Sequence, residues 1–267
     1  AVNRDFDRGL NARGRLGAAL PGIPGLAQMI QHHDVLYRDL ADPTAFFRDG
    51  SSTELAGFWP YVFGVNGDID PETAATYSDL MADSQTLVAE EALAHLNLSD
   101  VTTLLDIGGG TGVFLSAAGA ANPHLNLHLF DLPPVVPPAT ARFDREGLTN
   151  RAQITAGSFR TDNLPQGADA ISLIRVLYDH ADETITALLA KIYATLPANG
   201  RLIVAEPMLG TRSGDAYFGP YCLAMQTGRT RSAAEIAEHL QNAGFSDVKV
   251  LKTSRPFVTG LVTARKV

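Results

Sequence analysis

The chain has 267 residues, of which 45% are hydrophobic, with a formal net charge of -8 and a mean hydropathy of +0.02. This composition is typical of a globular protein with one large domain, or with one domain and a smaller helical part. The acidic balance argues against a nucleic-acid-binding protein, no apolar run is long enough to cross a bilayer, and the single cysteine, Cys222, excludes an internal disulfide.

The first part of the chain, up to about residue 100, is predicted to be helical and irregular. Apolar side chains recur at helical spacing over residues 26–40, namely Leu26, Met29, Ile30, His33, Leu36, Tyr37 and Leu40. A second helical pattern covers residues 70–98 and starts at Asp70 and Pro71. No signal peptide is visible. Because the chain begins at Ala1 rather than at Met, we expect an N-terminal portion to be missing.

From Thr102 onward, short β-rich runs alternate with helical segments. The β-rich runs cover residues 102–107, 125–131, 152–157, 168–176 and 201–206. Such alternation predicts a parallel sheet covered by helices. Residues 246–267 contain two strand-like runs without a helix between them, which predicts a terminal hairpin and an antiparallel strand in the sheet.

Two helices in this second part have clear boundary signals. Residues 182–200 are expected to begin at an acidic cap and to end near Pro197. Ser232 and Glu235 have the spacing of a capping box, and Gly244 is the expected stop of that helix.

A glycine-rich loop follows the first β-rich run. Gly108, Gly110 and Gly112 are spaced G-x-G-x-G, whereas a dinucleotide fingerprint would require glycine where Val113 stands. With Asp106 the pattern is D-x-G-x-G-x-G, which resembles the loop of S-adenosylmethionine-dependent methyltransferases. A carboxylate beside the loop favours a cationic cofactor and would repel a pyrophosphate. A plain tight strand-to-helix turn is the alternative.

Asp131 ends the second β-rich run, where a carboxylate can accept hydrogen bonds from ribose hydroxyls. This feature does not distinguish the two cofactors, because both contain a ribose. An aspartate that opens a proline-rich turn is the alternative interpretation.

Further motifs occur in a fixed order from about Tyr77 to the C-terminus. They are LLDIGGGTG, FDLPPV, AGSF, LPQGADAISLIRVLYDHADE, GRLIVAEPML and TGRTRSAAEIAEHLQNAGF. Together they resemble the small-molecule O-methyltransferases that include plant caffeate and bacterial polyketide enzymes. The resemblance implies an α/β class I methyltransferase (Rossmann-like) fold, with a mostly parallel sheet, an antiparallel C-terminal strand and a helical N-terminal part. Residues 1–85 would be the remainder of the dimerisation and substrate region, and residues 86–267 the S-adenosylmethionine-binding domain.

Other segments, including GIPGLAQMIQHHDVLYRDLADP and FWPY, are similar to the carotenoid-pathway members of purple phototrophic bacteria. Those enzymes methylate the tertiary hydroxyl of hydroxyneurosporene and demethylspheroidene.

The resemblance also implies a set of cofactor residues. Ser158 and Phe159 stand where the family has an acid and an apolar residue at the adenine, and Arg175 is near a basic position close to the cofactor carboxylate. The full expected set is Asp106, Gly108, Gly110, Gly112, Asp131, Leu132, Ser158, Phe159 and Arg175.

The catalytic positions depart from the family pattern. Tyr178 replaces the histidine general base, His180 replaces a tryptophan, Glu206 matches one bracing acid, and Thr230 replaces the other. A tertiary alcohol is too weak an acid for histidine to deprotonate before attack, so the proton must leave late. We therefore expect catalysis by proximity, with weak base assistance from Tyr178, His180 or Glu206. A structural role for His180 and a wall role for Tyr178 are the alternatives.

Aromatic residues and methionines could line an apolar substrate cavity, although core packing explains each of them singly. The candidates are Trp59, Tyr61, Met81, Phe218, Tyr221 and Met225. No metal site is expected, because the adjacent His32 and His33 would not share a helical face.

The sequence thus predicts an enzyme that transfers a methyl group from S-adenosylmethionine to a hydroxyl of a large apolar substrate, a hydroxylated carotenoid above all. The alternatives are a polyketide or phenolic O-methyltransferase, a tetrapyrrole C-methyltransferase, and a non-catalytic cofactor-binding scaffold. We further expect a homodimer in the cytoplasm that binds no nucleic acid, with peripheral contact to the photosynthetic membrane left open.

Overall fold

The computed structural model describes residues 26–48, 53–58, 82 and 84–267. The predicted helix start at Asp70 and the predicted pocket residues Trp59, Tyr61 and Met81 lie outside the described residues.

Three short helices form the described N-terminal part. They are α1 (Leu26–Asp39), α2 (Pro43–Arg48) and α3 (Glu54–Phe58). The first of them confirms the helix expected over residues 26–40. Its buried side includes Leu36, whereas Tyr37 is 61% exposed. The assignment of Tyr37 to the buried stripe is therefore wrong, because the next residue along a helix points about 100° away from its neighbour.

A seven-stranded sheet forms the centre of the molecule. Its strands are β1 (Thr103–Ile107), β2 (Asn126–Asp131), β3 (Ala152–Ala156), β4 (Ala170–Ile174), β5 (Arg201–Glu206), β6 (Ser246–Leu251) and β7 (Gly260–Arg265). They are arranged in the order β3-β2-β1-β4-β5-β7-β6. Strands β1 to β5 are parallel, and β7 runs antiparallel to both β5 and β6. The predicted parallel sheet and its antiparallel C-terminal strand are confirmed.

The strand order reverses at β1, which has β2 on one side and β4 on the other. The loops that follow β1 and β4 leave in opposite directions at such a point, and they open a crevice at the carboxyl ends of the strands. The glycine-rich loop follows β1, so the topology places it in this crevice.

Helices cover both faces of the sheet. They are α4 (residues 84–93), α5 (Val113–Ala121), α6 (Pro137–Arg145), α7 (Asp182–Thr195), α8 (Gly219–Met225), which follows a π-helical turn over Gly214–Phe218, and α9 (Ala233–Asn242). One core cluster packs Leu188, Leu189 and Ile236 against one face. A second cluster packs Val88 and Phe114 against the other. Apolar burial on two faces explains the almost continuous apolar runs of the inner strands.

The helix boundaries largely follow the sequence signals. Ser232 and Glu235 form the predicted capping box of α9, and Gly244 has the left-handed backbone (φ 98°) that ends a helix. The acidic cap expected for α7 is wrong, because Ala181 is the N-cap residue and makes no side-chain cap bond. The Asp182 carboxylate instead forms ion pairs with arginine side chains.

The N-terminal helices pack over the carboxyl edge of the sheet. Leu36 of α1, Phe46 of α2 and Leu55 of α3 share a buried cluster with Tyr178 and with the residues of α8. Of the helices that the structure describes, none combines the length and the apolarity needed to cross a membrane.

Candidate cofactor and substrate site

The glycine-rich loop is shaped by backbone conformations that favour glycine. Gly108, Gly110 and Gly112 have positive φ angles of 71°, 57° and 78°. A Cβ atom on Gly108 would lie 2.9 Å from the Val176 side chain, whereas a Cβ on Gly110 would meet nothing within 4 Å. The loop is therefore packed at its start against the segment that follows β4 and is open at Gly110, which leaves room for a ligand to approach the backbone.

Asp106 places a buried carboxyl group next to the glycine-rich loop. It is 1% exposed, and its Oδ1 accepts a hydrogen bond from Ser172 Oγ at 2.6 Å, while its buried Oδ2 has no hydrogen-bond partner among the described residues. Burial, together with the nearby Asp131 carboxylate, raises the pKa of Asp106 to about 7. A positive charge bound at this edge would stabilise the ionised form. The loop therefore suits a cationic ligand better than a pyrophosphate.

Asp131 links the end of β2 to the glycine-rich loop. Its Oδ2 accepts from the Gly110 amide and its Oδ1 from the Leu132 amide, both at 2.7 Å. Burial raises the pKa of this carboxyl, and the two amide bonds oppose that effect. Each carboxylate oxygen can accept a further hydrogen bond, so two hydroxyls of a ribose fit here.

Ser158 and Phe159 lie in the loop after β3. The Ser158 amide donates to Asp162 Oδ2 at 2.8 Å, and Phe159 packs against the core and the His180 ring. The Lys191 ammonium donates to the carbonyls of Phe159, Arg160 and Asp162 at 2.8–3.1 Å. Sequence reasoning did not identify Lys191, because its partners are backbone carbonyls that leave no pattern in the sequence.

Arg175 connects the site to α4. Its backbone is left-handed (φ 59°), and its Nη1 donates to Ser84 Oγ at 2.8 Å. Its guanidinium carbon lies 6.0 Å from the Tyr178 ring centroid and 5.6 Å from that of Phe218. Arg175 therefore borders the aromatic side of the site.

Tyr178 lies on a 3₁₀ turn (Leu177–Asp179) after β4 and is buried. Its ring meets Phe218 edge-on at 5.3 Å and Tyr221 at 6.4 Å between centroids. Met225 belongs to the same cluster. Three of the predicted pocket residues are thus brought together with Tyr178.

Glu206 acts on the backbone of that turn. Its Oε1 accepts from the amides of Val176 and Leu177 at 2.8 and 2.7 Å, and its Oε2 from the Tyr178 amide at 3.3 Å. Burial raises the pKa of Glu206 to about 7, and the three amides oppose the shift. Because its acceptor capacity is directed at the turn, Glu206 is arranged to position Tyr178.

His180 contacts the loop after β3. Its Nδ1 accepts from Arg160 Nη2 at 3.1 Å, and its ring meets Phe159 edge-on at 5.2 Å. Burial first, and then the charges of Arg160 and Arg231, lower the pKa of His180 to about 4. The imidazole is therefore neutral at ordinary pH, and its ring contacts Phe159, which packs against a different core cluster from that of Tyr178.

Sequence reasoning passed over Asp179, which lies between these two residues. Burial, with a smaller contribution from the Glu206 charge, raises the pKa of Asp179 to about 8. The Arg175 charge and a hydrogen bond with Tyr178 oppose this increase. At neutral pH this carboxyl is largely protonated and can donate a hydrogen bond. The only sequence signal that could have identified Asp179 was its place in the run L-Y-D-H, between Tyr178 and His180. No group of three or more potential metal ligands occurs within the described ranges.

The chain matches the O-methyltransferase domain family over residues 37–246. Demethylspheroidene O-methyltransferase of Cereibacter sphaeroides is 54% identical over 252 residues, which cover 93% of this chain and 66% of the relative. The Rhodobacter capsulatus enzyme of the same name is 48% identical over 265 residues, which cover 98% and 66%. The chain thus spans just under two thirds of the length of these relatives.

Solved structures of similar fold include human N-acetylserotonin methyltransferase in complex with S-adenosylmethionine. It has a TM-score of 0.75 at 25% identity, and the match covers 91% of this chain and 69% of that chain. An O-methyltransferase from neocarzinostatin biosynthesis, in complex with S-adenosylmethionine and 2-hydroxy-5-methyl naphthoic acid, has a TM-score of 0.73 at 25% identity and covers 94% and 73%.

Proposed function

Since the chain belongs to the O-methyltransferase family, we propose that it transfers a methyl group from S-adenosylmethionine to a hydroxyl of a large apolar substrate. The expected class I methyltransferase fold is confirmed by the structural neighbours. The observation that carries the proposal is the arrangement of the crevice. The glycine loop, with the Asp131 acceptor on its Gly110 amide, packs against Val176 at the start of the turn over residues 176–180, and Tyr178 of the same turn belongs to a buried aromatic cluster.

The residues present fit the cofactor. The unpartnered buried oxygen of Asp106 and the open space at Gly110 suit a cationic ligand, and the Asp131 carboxylate suits its ribose. Phe159 would pack against the adenine, and Ser158 would hydrogen-bond it. When bound, S-adenosylmethionine supplies an electrophilic methyl group on a sulfonium.

The substrate we propose is a hydroxylated carotenoid of the hydroxyneurosporene or demethylspheroidene type. The 54% and 48% identities to two demethylspheroidene O-methyltransferases support this choice. The aromatic cluster supports it too, because Phe218, Tyr221 and Tyr178 offer an apolar wall to a polyene.

The chemistry that we propose relies on alignment. The neutral His180 lies by Phe159, and Glu206 is engaged with backbone amides, so neither faces the aromatic cluster as a free base. Tyr178 and Asp179 would orient the substrate hydroxyl by hydrogen bonds and exclude water. The hydroxyl proton would leave late, as the new C–O bond forms, and would pass to the ionised fraction of the Asp179 carboxyl or to solvent when the product departs, so that a base would contribute little to the rate.

Turnover with a panel of acceptors tests the substrate class. We expect the protein, with S-adenosylmethionine, to convert demethylspheroidene to its methyl ether faster than it methylates a naphthol or a tetrapyrrole. Preferred methylation of the naphthol or of a tetrapyrrole carbon would refute the carotenoid assignment. Cofactor binding without turnover of any acceptor would indicate a scaffold.

The domain division and the assembly remain part of the proposal. Residues 1–85 would belong to a dimerisation and substrate region, and residues 86–267 to the cofactor domain. The packing of α1, α2 and α3 over Tyr178 supports a role of the first region in closing the substrate side. We propose a cytoplasmic homodimer that contacts the membrane in which so apolar a substrate dissolves. We expect light scattering to give the mass of a dimer, and we expect the protein to float with lipid vesicles in a density gradient. A monomer mass would contradict the first expectation, and protein that stays at the bottom of the gradient would contradict the second.

A further inference from the structure

Arg231 is an almost fully buried arginine beside the turn that carries Tyr178. Its side chain is 2% exposed. Its Nη1 donates to the Leu177 carbonyl at 2.9 Å and its Nη2 to the His180 carbonyl at 2.9 Å. Its Nε and Nη2 also bind the Asp182 carboxylate at 2.9 and 2.6 Å. One guanidinium therefore connects both ends of the turn to the first residue of α7.

Four consecutive carbonyls of this turn, those of residues 177–180, have partners in the segment over residues 222–231. Besides the two carbonyls bound by Arg231, the Tyr178 carbonyl faces Cys222 Sγ at 3.5 Å and the Asp179 carbonyl accepts from Thr227 Oγ1 at 3.3 Å. The amides at the start of the turn are bound by Glu206.

The turn is thus held from two directions. The Glu206 carboxyl accepts from its first three N–H groups, and the Arg231 guanidinium donates to two of its C=O groups. Buried backbone groups require such partners, so the path of residues 176–180 is set by these two side chains together. The directions of the Tyr178 and Asp179 side chains follow from that path.

We propose that Arg231 is a positioning residue for methyl transfer, acting through the turn over residues 176–180 on the groups that meet the substrate hydroxyl. The inference rests on the proposed function. A planar guanidinium fork can bind two carbonyls and a carboxylate at once, whereas a lysine ammonium lacks that geometry. Position 231 therefore requires arginine rather than any cation.

The structure separates this effect from cofactor binding. Asp131, Gly110 and Phe159 have no hydrogen bond to Arg231 among the described residues. Misplacing the turn should lower the rate of the chemical step and leave affinity for S-adenosylhomocysteine almost unchanged. A residue that only stabilises the fold would change the fraction of active sites and nothing else.

Arg229 provides a matched control. It is 44% exposed and pairs with Asp182 and Glu235. Its side chain shares the Asp182 partner of Arg231, and no hydrogen bond from its guanidinium to the turn is among those described. The two Arg231 variants, Arg231→Lys and Arg231→Met, change the contacts with the turn carbonyls. The control, Arg229→Lys, changes an arginine that shares the Asp182 partner and leaves those carbonyl contacts in place.

The experiment counts active sites by calorimetric titration with S-adenosylhomocysteine and measures kcat and KM with demethylspheroidene. We expect Arg231→Lys to lower kcat per active site by about 10–100-fold, with the dissociation constant for S-adenosylhomocysteine within about twofold of wild type. Arg229→Lys should retain the wild-type kcat. If Arg231→Met does not fold, the kcat per active site of Arg231→Lys alone tests the inference.

A wild-type kcat per active site in Arg231→Lys would overturn the inference, and so would a parallel loss of kcat and cofactor affinity. Wild-type protein that bound no S-adenosylhomocysteine and methylated no acceptor would refute the proposed function itself, which is a distinguishable failure.

Discussion

Asp131 has two tasks at the carboxyl end of β2, because it binds the Gly110 amide and offers acceptors to a ribose. Asp131→Ala should weaken binding of S-adenosylhomocysteine by about 1.5–3 kcal/mol, as expected for the loss of hydrogen bonds to a charged group. Isothermal titration calorimetry measures this. Asp144→Ala, an exposed carboxylate on α6 that bonds Thr149, is the control. Unchanged affinity in Asp131→Ala, or preferential binding of NAD by the wild type, would contradict the assignment.

Tyr178 and His180 test the proximity mechanism. Tyr178→Phe and His180→Ala should each lower kcat by less than the roughly 10²–10⁴-fold typical of losing a general base. Single-turnover rates at saturating cofactor provide the measurement. A loss near four orders of magnitude, with both ligands still bound, would show an essential base or orienting group.

Asp179 predicts a pH dependence of stability. Its pKa of about 8 in the folded protein exceeds the ordinary value of 3.8, so the folded state binds the extra proton between these two pH values. The stabilisation from that proton is complete below about pH 4 and is lost as the pH rises through about 8. Urea unfolding of wild type and Asp179→Asn at pH 5 and pH 8 checks this.

The variant should gain stability relative to wild type as the pH rises, because its amide cannot ionise. Asp144→Asn serves as the comparison at an exposed position of α6. Parallel pH profiles for wild type and Asp179→Asn would mean that this carboxyl is ionised throughout.

Individual site residues differ in how well the sequence predicts them. Asp106, Gly110 and Asp131 follow from a short local pattern, because loop geometry and strand ends constrain neighbouring positions. Lys191 and Arg231 bind backbone carbonyls 29–54 residues away in the chain. Any residue type offers a carbonyl, so only the folded structure can reveal such partners.

At the scale of elements, the loop after β3 and helix α7 act as one unit. Lys191→Met would remove three ammonium–carbonyl bonds from the segment that contains Phe159. We expect S-adenosylhomocysteine to bind about tenfold more weakly, or about 1.4 kcal/mol. Lys249→Met, an exposed residue of β6 paired with Asp247, is the matched control. Equal affinities in calorimetry for both variants would remove Lys191 from the cofactor site.

The strands were predicted from sequence more completely than the helix ends. Apolar runs of five or six residues are long enough to identify β1 to β5, and the absence of an intervening helix identifies β6 and β7. The start of α7 at Asp182 was predicted correctly, but its N-cap was not, because Asp182 binds Arg231 rather than capping the helix amides. The π-helical turn before α8 has no local signal.

At the scale of the whole molecule, the switch at β1 explains why the cofactor loop and the Tyr178 turn meet. Sequence alternation predicts the sheet, and the topology then brings the ends of β1, β2 and β4 to one edge. The docking of α1, α2 and α3 on that edge could not be predicted, because it depends on contacts between distant apolar side chains such as Leu36 and Tyr178.

The central claim is that this edge binds S-adenosylmethionine with its reactive group toward the turn over residues 176–180. A crystal structure of the protein with S-adenosylhomocysteine tests it most directly. We predict the ribose hydroxyls on Asp131, the adenine against Phe159, and the sulfur facing the aromatic cluster that contains Phe218 and Tyr221. A ligand elsewhere, or a sulfur turned away from Tyr178, would contradict the account.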